Sequence, residues 1–194
     1  VSTKAGNLYM YDNALQTKKT VYENKFNVYT MLEDKNGSIW LGTKKDGLIE
    51  LKNGKLSGAV EYHKTASKQS LNNNTVFSIA QDKKGRIWAA TFGGGLCVKI
   101  GVGNENIFRT FFDNDEWLRF VRYVFVDKQG DLWVATTNGV FRFNPDEILR
   151  NKNAFRHYTF TSESENCLSN PEVRYIFQDS KGRIWLATSG GGVN

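Results

Sequence analysis

Four stretches of the chain are copies of one another. VYTMLEDKNGSIWLGT (28–43), VFSIAQDKKGRIWAAT (76–91), VRYVFVDKQGDLWVAT (121–136) and VRYIFQDSKGRIWLAT (173–188) align without a gap. Trp40, Trp88, Trp133 and Trp185 recur at spacings of 48, 45 and 52 residues. Six residues before each Trp stands an Asp (Asp34, Asp82, Asp127, Asp179), and three before it a Gly (Gly37, Gly85, Gly130, Gly182). Three after it stands a Thr (Thr43, Thr91, Thr136, Thr188). A period in this range marks units that bury their apolar faces against one another rather than alone.

Each copy reads as strands. A short β-forming run such as Val28–Leu32 leads into Asp-Lys-Asn-Gly. In such a turn Gly accepts a positive φ and the Asp side chain bonds nearby backbone N–H groups. The Trp-bearing run that follows is apolar at successive positions, so both its faces must be covered. A third run follows the next glycines (Gly47–Leu51, Gly95–Ile100, Gly139–Phe143), and a fourth, more polar one closes the unit (Ala59–His63, Ile107–Phe112, Ala154–Phe160). Four antiparallel strands per unit, with inner strands covered on both sides, predict an all-β fold of β-propeller blades. The 18 Gly, 2 Pro and 13% aromatic residues among 194 fit many short strands joined by tight turns.

The expected blade pieces are 1–27 (outer strands only), 28–75, 76–120, 121–172 and 173–194 (inner strands only). Residues 7–11 resemble a third strand and 19–23 a fourth, while the chain stops after a second strand at Gly190-Gly-Gly-Val-Asn194. That makes about four blades' worth. Either the two half-units meet in a composite blade, or the chain is a piece of a larger propeller; the second is the expectation. Exposed cut edges would then invite pairing with another copy, giving a homodimer.

The formal net charge is +6. Such a balance fits either a polyanionic partner or a soluble surface, and the pairs Lys18-Lys19, Lys44-Lys45 and Lys83-Lys84 lie in separate turns rather than in one stripe. No aromatic-and-basic nucleic-acid module is recognisable, so no nucleic-acid partner is expected. With Cys97, Cys167, His63 and His157 as the only cysteines and histidines, and no CxxC, neither a disulfide scaffold nor a zinc site is expected. Gly93–Gly95 and Gly190–Gly192 follow the Trp strands, but no helix pattern or GK[ST] end follows them. They are read as hairpin punctuation, not a phosphate cradle. No cofactor is expected. No apolar run reaches membrane-spanning length, and the opening at Val1 rather than Met points to upstream sequence that is not included.

The repeat V-x-x-[IMV]-x-x-D-x-x-G-x-[IL]-W-[LAV]-[GA]-T resembles the two-component-regulator propeller repeat. The connectors Ser70–Val76 and Cys167–Val173 are similar to its Ser-Leu-Ser-x-Asn-x-Val lead-in. The resemblance covers nearly the whole chain. It implies the periplasmic sensor region of a hybrid histidine kinase of Bacteroides-type bacteria, with many such blades, a β-sandwich, an inner-membrane helix, and kinase and regulator domains. It further implies glycan-derived oligosaccharides as ligands, and no catalysis by the propeller itself. None of the kinase parts is present in these residues.

Shared letters are expected to hold shape, so function is sought where the copies differ. Trp40, Trp88, Trp133 and Trp185 are expected to pack between blades, and the four Asp and four Gly to form turns. The position after the leading Val holds Tyr29, Phe77, Arg122 and Arg174. The turn after the Thr holds Lys44, Lys45, Phe92, Thr137, Asn138 and Ser189, and the lead-ins hold Asn73, Asn74, Asn114 and Asn170. Trp117 is the one Trp outside the repeat frame. Of these, Tyr29, Phe77, Arg122, Arg174, Phe92, Asn138, Trp117 and Lys44 form the candidate ligand set. They offer the aromatic planes, guanidinium groups and amides that a sugar or acidic oligosaccharide needs. Arg122 and Arg174 could grip a carboxylate or sulfate in a two-pronged way, or pair with acids across blades. The competing readings are a glycan hydrolase or lyase, for which Asp113, Asp115 and Glu116 are the one tight acidic cluster, and a protein–protein scaffold.

Overall fold

In the computed structural model, residues 2–3, 6–11, 14, 16–23, 25–116, 118–162 and 167–194 are described. The strands follow the repeat. β1 (Leu8–Tyr11) pairs with β2 (Lys18–Tyr22) in a two-stranded sheet. Three four-stranded sheets follow: β3 (Val28–Glu33), β4 (Ile39–Thr43), β5 (Leu48–Leu51) and β6 (Val60–Tyr62); β7 (Val76–Gln81), β8 (Ile87–Thr91), β9 (Gly95–Lys99) and β10 (Phe108–Phe111); β11 (Val121–Val126), β12 (Leu132–Thr136), β13 (Gly139–Phe143) and β14 (Arg156–Tyr158). The last sheet holds β15 (Val173–Gln178), β16 (Ile184–Thr188) and β17 (Gly192–Val193). All pairs are antiparallel meanders, and the inner strands β3, β7, β11 and β15 touch in series. Among the described residues, the sheet of β1 and β2 does not join that of β15–β17.

The Asp-x-x-Gly turns explain the spacing of the shared letters. In the first, the Asp34 Oδ1 accepts from the backbone N–H of Asn36 (2.8 Å) and Ser38 (3.0 Å), while Oδ2 accepts from the Trp40 indole at 2.8 Å. The same indole bond runs from Trp88 to Asp82 (2.9 Å), Trp133 to Asp127 (2.8 Å) and Trp185 to Asp179 (3.0 Å). Each carboxylate therefore satisfies a tight turn and an indole N–H together, and for the buried Trp40, Trp88 and Trp133 such a partner is what a buried donor requires. At the opposite end of the sheets each Thr hydroxyl donates to the carbonyl of the glycine that closes the next hairpin: Thr43 to Gly47, Thr91 to Gly95, Thr136 to Gly139 and Thr188 to Gly192.

The core lies between sheets rather than within one. Trp40, Tyr62, Ile79, Ala89 and Phe108 form one cluster across the first two four-stranded sheets. Trp88, Val121, Leu132, Phe141 and Phe143 form the next, and Trp133, Val173, Ile176 and Leu186 the third. Fourth-strand aromatics stack on the indoles, Tyr62 on Trp40 at 5.7 Å, Phe111 on Trp88 at 6.0 Å and Tyr158 on Trp133 at 5.8 Å. Trp185 differs from the expectation for the four tryptophans. It is 39% exposed, against 4%, 0% and 8% for the others, because among the described residues no further sheet packs on that face of β16.

Two rows of hydrogen bonds lock neighbouring sheets. At the Asp-turn end, the Lys35 ammonium donates to the Lys83 carbonyl (2.8 Å), Lys83 to those of Lys128 (3.2 Å) and Gln129 (2.5 Å), and Lys128 to Asp179 (3.0 Å) and Ser180 (3.2 Å). At the other end, the lead-in of each blade caps the glycine turn of the one before it. Gly47 N–H donates to Asn74 O, Gly95 to Arg119 O and Gly139 to Pro171 O.

Three details depart from the sequence reading. The C-terminal unit has a third strand, the two-residue β17, where only two strands were expected. The fourth strands are shorter than the runs expected for them, which limits the exposed edge. A helix, α1 (Pro145–Arg150), interrupts the third repeat. Local chemistry accounts for it: the Asn144 side chain caps the N–H groups of Asp146 and Glu147, and Pro145 occupies the first turn. Asp146 then reaches Lys84 and Arg86 of the preceding blade, at 2.8 Å each.

Candidate functional site

Every inner strand carries a bulge at the same place. Val28 pairs with Thr43 and Thr30 with Gly42, so Tyr29 has no partner in the ladder. The same shift skips Phe77, Arg122 and Arg174. A bulge residue is freed from the alternation of its strand and re-aims its side chain. The repeat thus builds one such position per blade, aromatic in the first two copies and arginine in the last two.

The four bulge side chains form one row with the turns beside them. Tyr29 and Phe77 have ring centroids 5.1 Å apart, Phe77 and Phe92 5.0 Å, and Phe92 and Phe120 4.9 Å. Phe92 and Phe120 are also joined by an isolated backbone bridge. The Arg122 guanidinium lies 4.7 Å over Phe92 and 5.9 Å over Phe77, a cation–π arrangement. It donates to Glu172 Oε1 at 2.8 Å, and Arg174 reaches the same oxygen at 3.2 Å. The row thus runs from the blade of β3 to that of β15, with aromatic rings at one end and charge at the other. Tyr29 is 47% exposed, so the aromatic end is open to solvent. On the residues that follow Arg122 and Arg174, the Tyr123 and Tyr175 rings sit 4.6 Å apart, with Tyr175 half exposed; burial, with the Tyr175 hydroxyl beside it, pushes the Tyr123 hydroxyl up to about 12 and keeps it neutral.

Of the candidate ligand set, the structure brings Tyr29, Phe77, Phe92, Arg122 and Arg174 into this row. Lys44 is near it through its backbone: its N–H donates to Asn27 O, and its carbonyl accepts from the Thr75 hydroxyl. Its side chain is exposed. Asn138 is turned toward the outer strand instead. Its Oδ1 accepts from Thr159, and its carbonyl contacts the His157 ring. Trp117 lies outside the described residues. Among the lead-in amides, Asn73 and Asn170 fold back on Thr75 and Glu172, and Asn74 accepts from Lys64, so all three shape turns. Asp113, Asn114 and Asp115 line a different cavity of about 360 Å3, with Arg109, Phe112 and Phe155.

Phe120 and Glu172 belong to the row, and the sequence reading missed both. They stand one residue before the leading Val, where the other copies have Asn27 and Thr75. The criterion of disagreement between copies would have found them one position earlier.

Blades of this geometry, linked inner strand to inner strand, define a β-propeller. Its repeat is the two component regulator propeller: the family model matches residues 23–45, 70–93, 115–138 and 167–190, and the chain carries four copies of that repeat. Among solved structures, the extracellular domain of the hybrid two component system BT4673 of B. thetaiotaomicron is similar to 97% of this chain, with 23% identity and a TM-score of 0.74. That of BT3049 from the same organism is similar to 96% of it, with 27% identity and a TM-score of 0.67. The chain spans about a quarter of those domains, 24% and 25%. Virginiamycin B lyase of Staphylococcus aureus shares the fold over 98% of this chain and 62% of its own, at 11% identity and a TM-score of 0.68. No curated protein matches the chain in sequence.

Proposed function

We propose that the chain is a ligand-sensing part of an extracytoplasmic propeller in a two-component signal-transduction sensor, and that it binds a glycan-derived oligosaccharide across the row from Tyr29 to Arg174. The observation that carries this reading is the bulge common to all four blades, which aims the variable residues to one place while the shared residues hold the sheets. Flat rings beside hydrogen-bonding groups suit a saccharide, whose ring faces are apolar and whose rim is polar. The repeat and the likeness to extracellular domains of hybrid two component systems support the sensor role. In this reading the parent protein is a histidine kinase of the inner membrane, with the propeller in the periplasm. The propeller itself does no chemistry: the acidic cluster of Asp113 and Asp115 is not part of the row, and the likeness to a lyase is one of fold. Ligand would signal, in a homodimer, by binding one arrangement of the subunits more tightly than another.

Calorimetric titration of neutral and acidic oligosaccharides into the protein tests the reading. Saturable heat with at least one saccharide is expected. Because Tyr29 is half exposed, Tyr29→Ala should weaken that binding about three- to tenfold, the loss of one aromatic contact, with the melting temperature unchanged. Absence of heat with every saccharide, or full affinity in Tyr29→Ala, contradicts it.

A further inference from the structure

We infer that the ligand of this face carries an anionic group, a carboxylate or a sulfate, and that Glu172 occupies its place in the free protein. The inference rests on the saccharide reading above and adds the chemical class. Two guanidinium groups, from bulges of adjacent inner strands, converge on one carboxylate oxygen, Glu172 Oε1, at 2.8 and 3.2 Å. One carboxylate leaves the cluster with a net charge of +1. Donor capacity is also left over. The Arg122 Nε is buried and has no acceptor, and the Arg174 side chain is 58% exposed. A planar guanidinium with unspent donors matches a second anion by two parallel hydrogen bonds.

An ion pair that merely ties two blades together is the simpler explanation, and the repeat argues against it. The same junction between the first two blades holds Tyr29 against Phe77, preceded by Asn27 and Thr75, with no ion pair there among the described residues. The lysine and lead-in hydrogen bonds join those blades as they join the last two. Blade pairing therefore does not require charges at this position. Glu172 is held from both sides, its N–H donating to Asn170 Oδ1 and its carbonyl accepting from Ser189 N–H. Its carboxylate is thus presented to the arginines as an internal stand-in, which an incoming anion must displace. The saccharide ring then lies toward Phe92 and Phe77, beside the guanidinium that already stacks on them.

The test uses three probes on the whole chain: an unsulfated chondroitin disaccharide (carboxylate only), its 6-sulfated form, and neutral diacetylchitobiose. Both acidic probes, or one of them, should bind at least about tenfold more tightly than the neutral one, and the advantage should shrink as salt is raised. Tighter binding of the 6-sulfated form identifies sulfate as the anion read, and equal binding of the two identifies the carboxylate they share. Glu172→Gln keeps the shape and removes the competing charge, so it should tighten acidic binding by roughly threefold or more. Arg174→Gln should bring acidic binding down to the neutral level, and Arg174→Lys should restore part of it. Equal binding of acidic and neutral probes, or weaker acidic binding in Glu172→Gln, overturns the anionic class while leaving a saccharide face in place. No binding of any probe, under conditions where other saccharides also give no heat, removes both.

Discussion

At the scale of single residues, the shared letters are solutions to local satisfaction problems. Each repeat Asp spends one oxygen on its turn and the other on an indole. The consequences differ along the chain, because Trp88 is fully buried and Trp185 is not. Trp88→Ala should cost about 3–5 kcal/mol in urea unfolding, and Trp185→Ala clearly less than half of that. Equal losses would mean that the last sheet is covered as the others are. Asp179 also sets a pH dependence. The Trp185 indole, followed by the Arg183 guanidinium and backbone, holds its carboxyl down at about 2. A depressed carboxyl stabilises the fold fully above its ordinary value of 3.8, and that contribution fades as pH falls toward 2. Asp179→Asn should therefore lower the urea midpoint at pH 6 and narrow its difference from the unchanged protein at pH 2. An equal difference at both values would contradict the assignment.

At the scale of elements, the strands and their order were legible because the Trp, Asp and Gly spacings repeat and each apolar run is bounded by turn residues. The bulge was not. Nothing in Val-Tyr-Thr or Val-Arg-Tyr distinguishes a paired second residue from an unpaired one; the shift emerges when the strand is laid against Trp-Leu-Gly-Thr. Helix α1 was missed for a different reason, since six residues are too few for a visible period and only the Asn144-Pro145 cap announces it. Glycine turns show how strictly the hairpins are specified. A Cβ at Gly95, where φ is 77°, would come within 2.2 Å of the Phe111 carbonyl, whereas at Gly190, where φ is 84°, it would meet nothing within 4 Å. Gly190→Ala should cost roughly 1–2 kcal/mol, the price of the left-handed conformation alone. Gly95→Ala should cost more, because backbone must move; comparable urea midpoints for the two would refute this.

At the scale of the whole molecule, two sets of residues share one repeat without competing. Asp, Gly and Thr shape the hairpins within each sheet, Trp packing and the lysine bonds hold each sheet to the next, and the bulge and the residue before it are free to differ. The sequence therefore singled out Tyr29, Phe77, Phe92, Arg122 and Arg174, which lie together in one row. It did not show that Glu172 lies between the arginines or that Phe120 extends the rings, since those contacts depend on how adjacent blades are set side by side. The division of labour has one direct measurement. Aromatic side-chain resonances followed by NMR during saccharide titration should shift at Tyr29, Phe77, Phe92 and Phe120 while the indoles of Trp40, Trp88 and Trp133 stay in place. Shifts centred on Phe112 and Phe155, or on the buried indoles, would contradict the account.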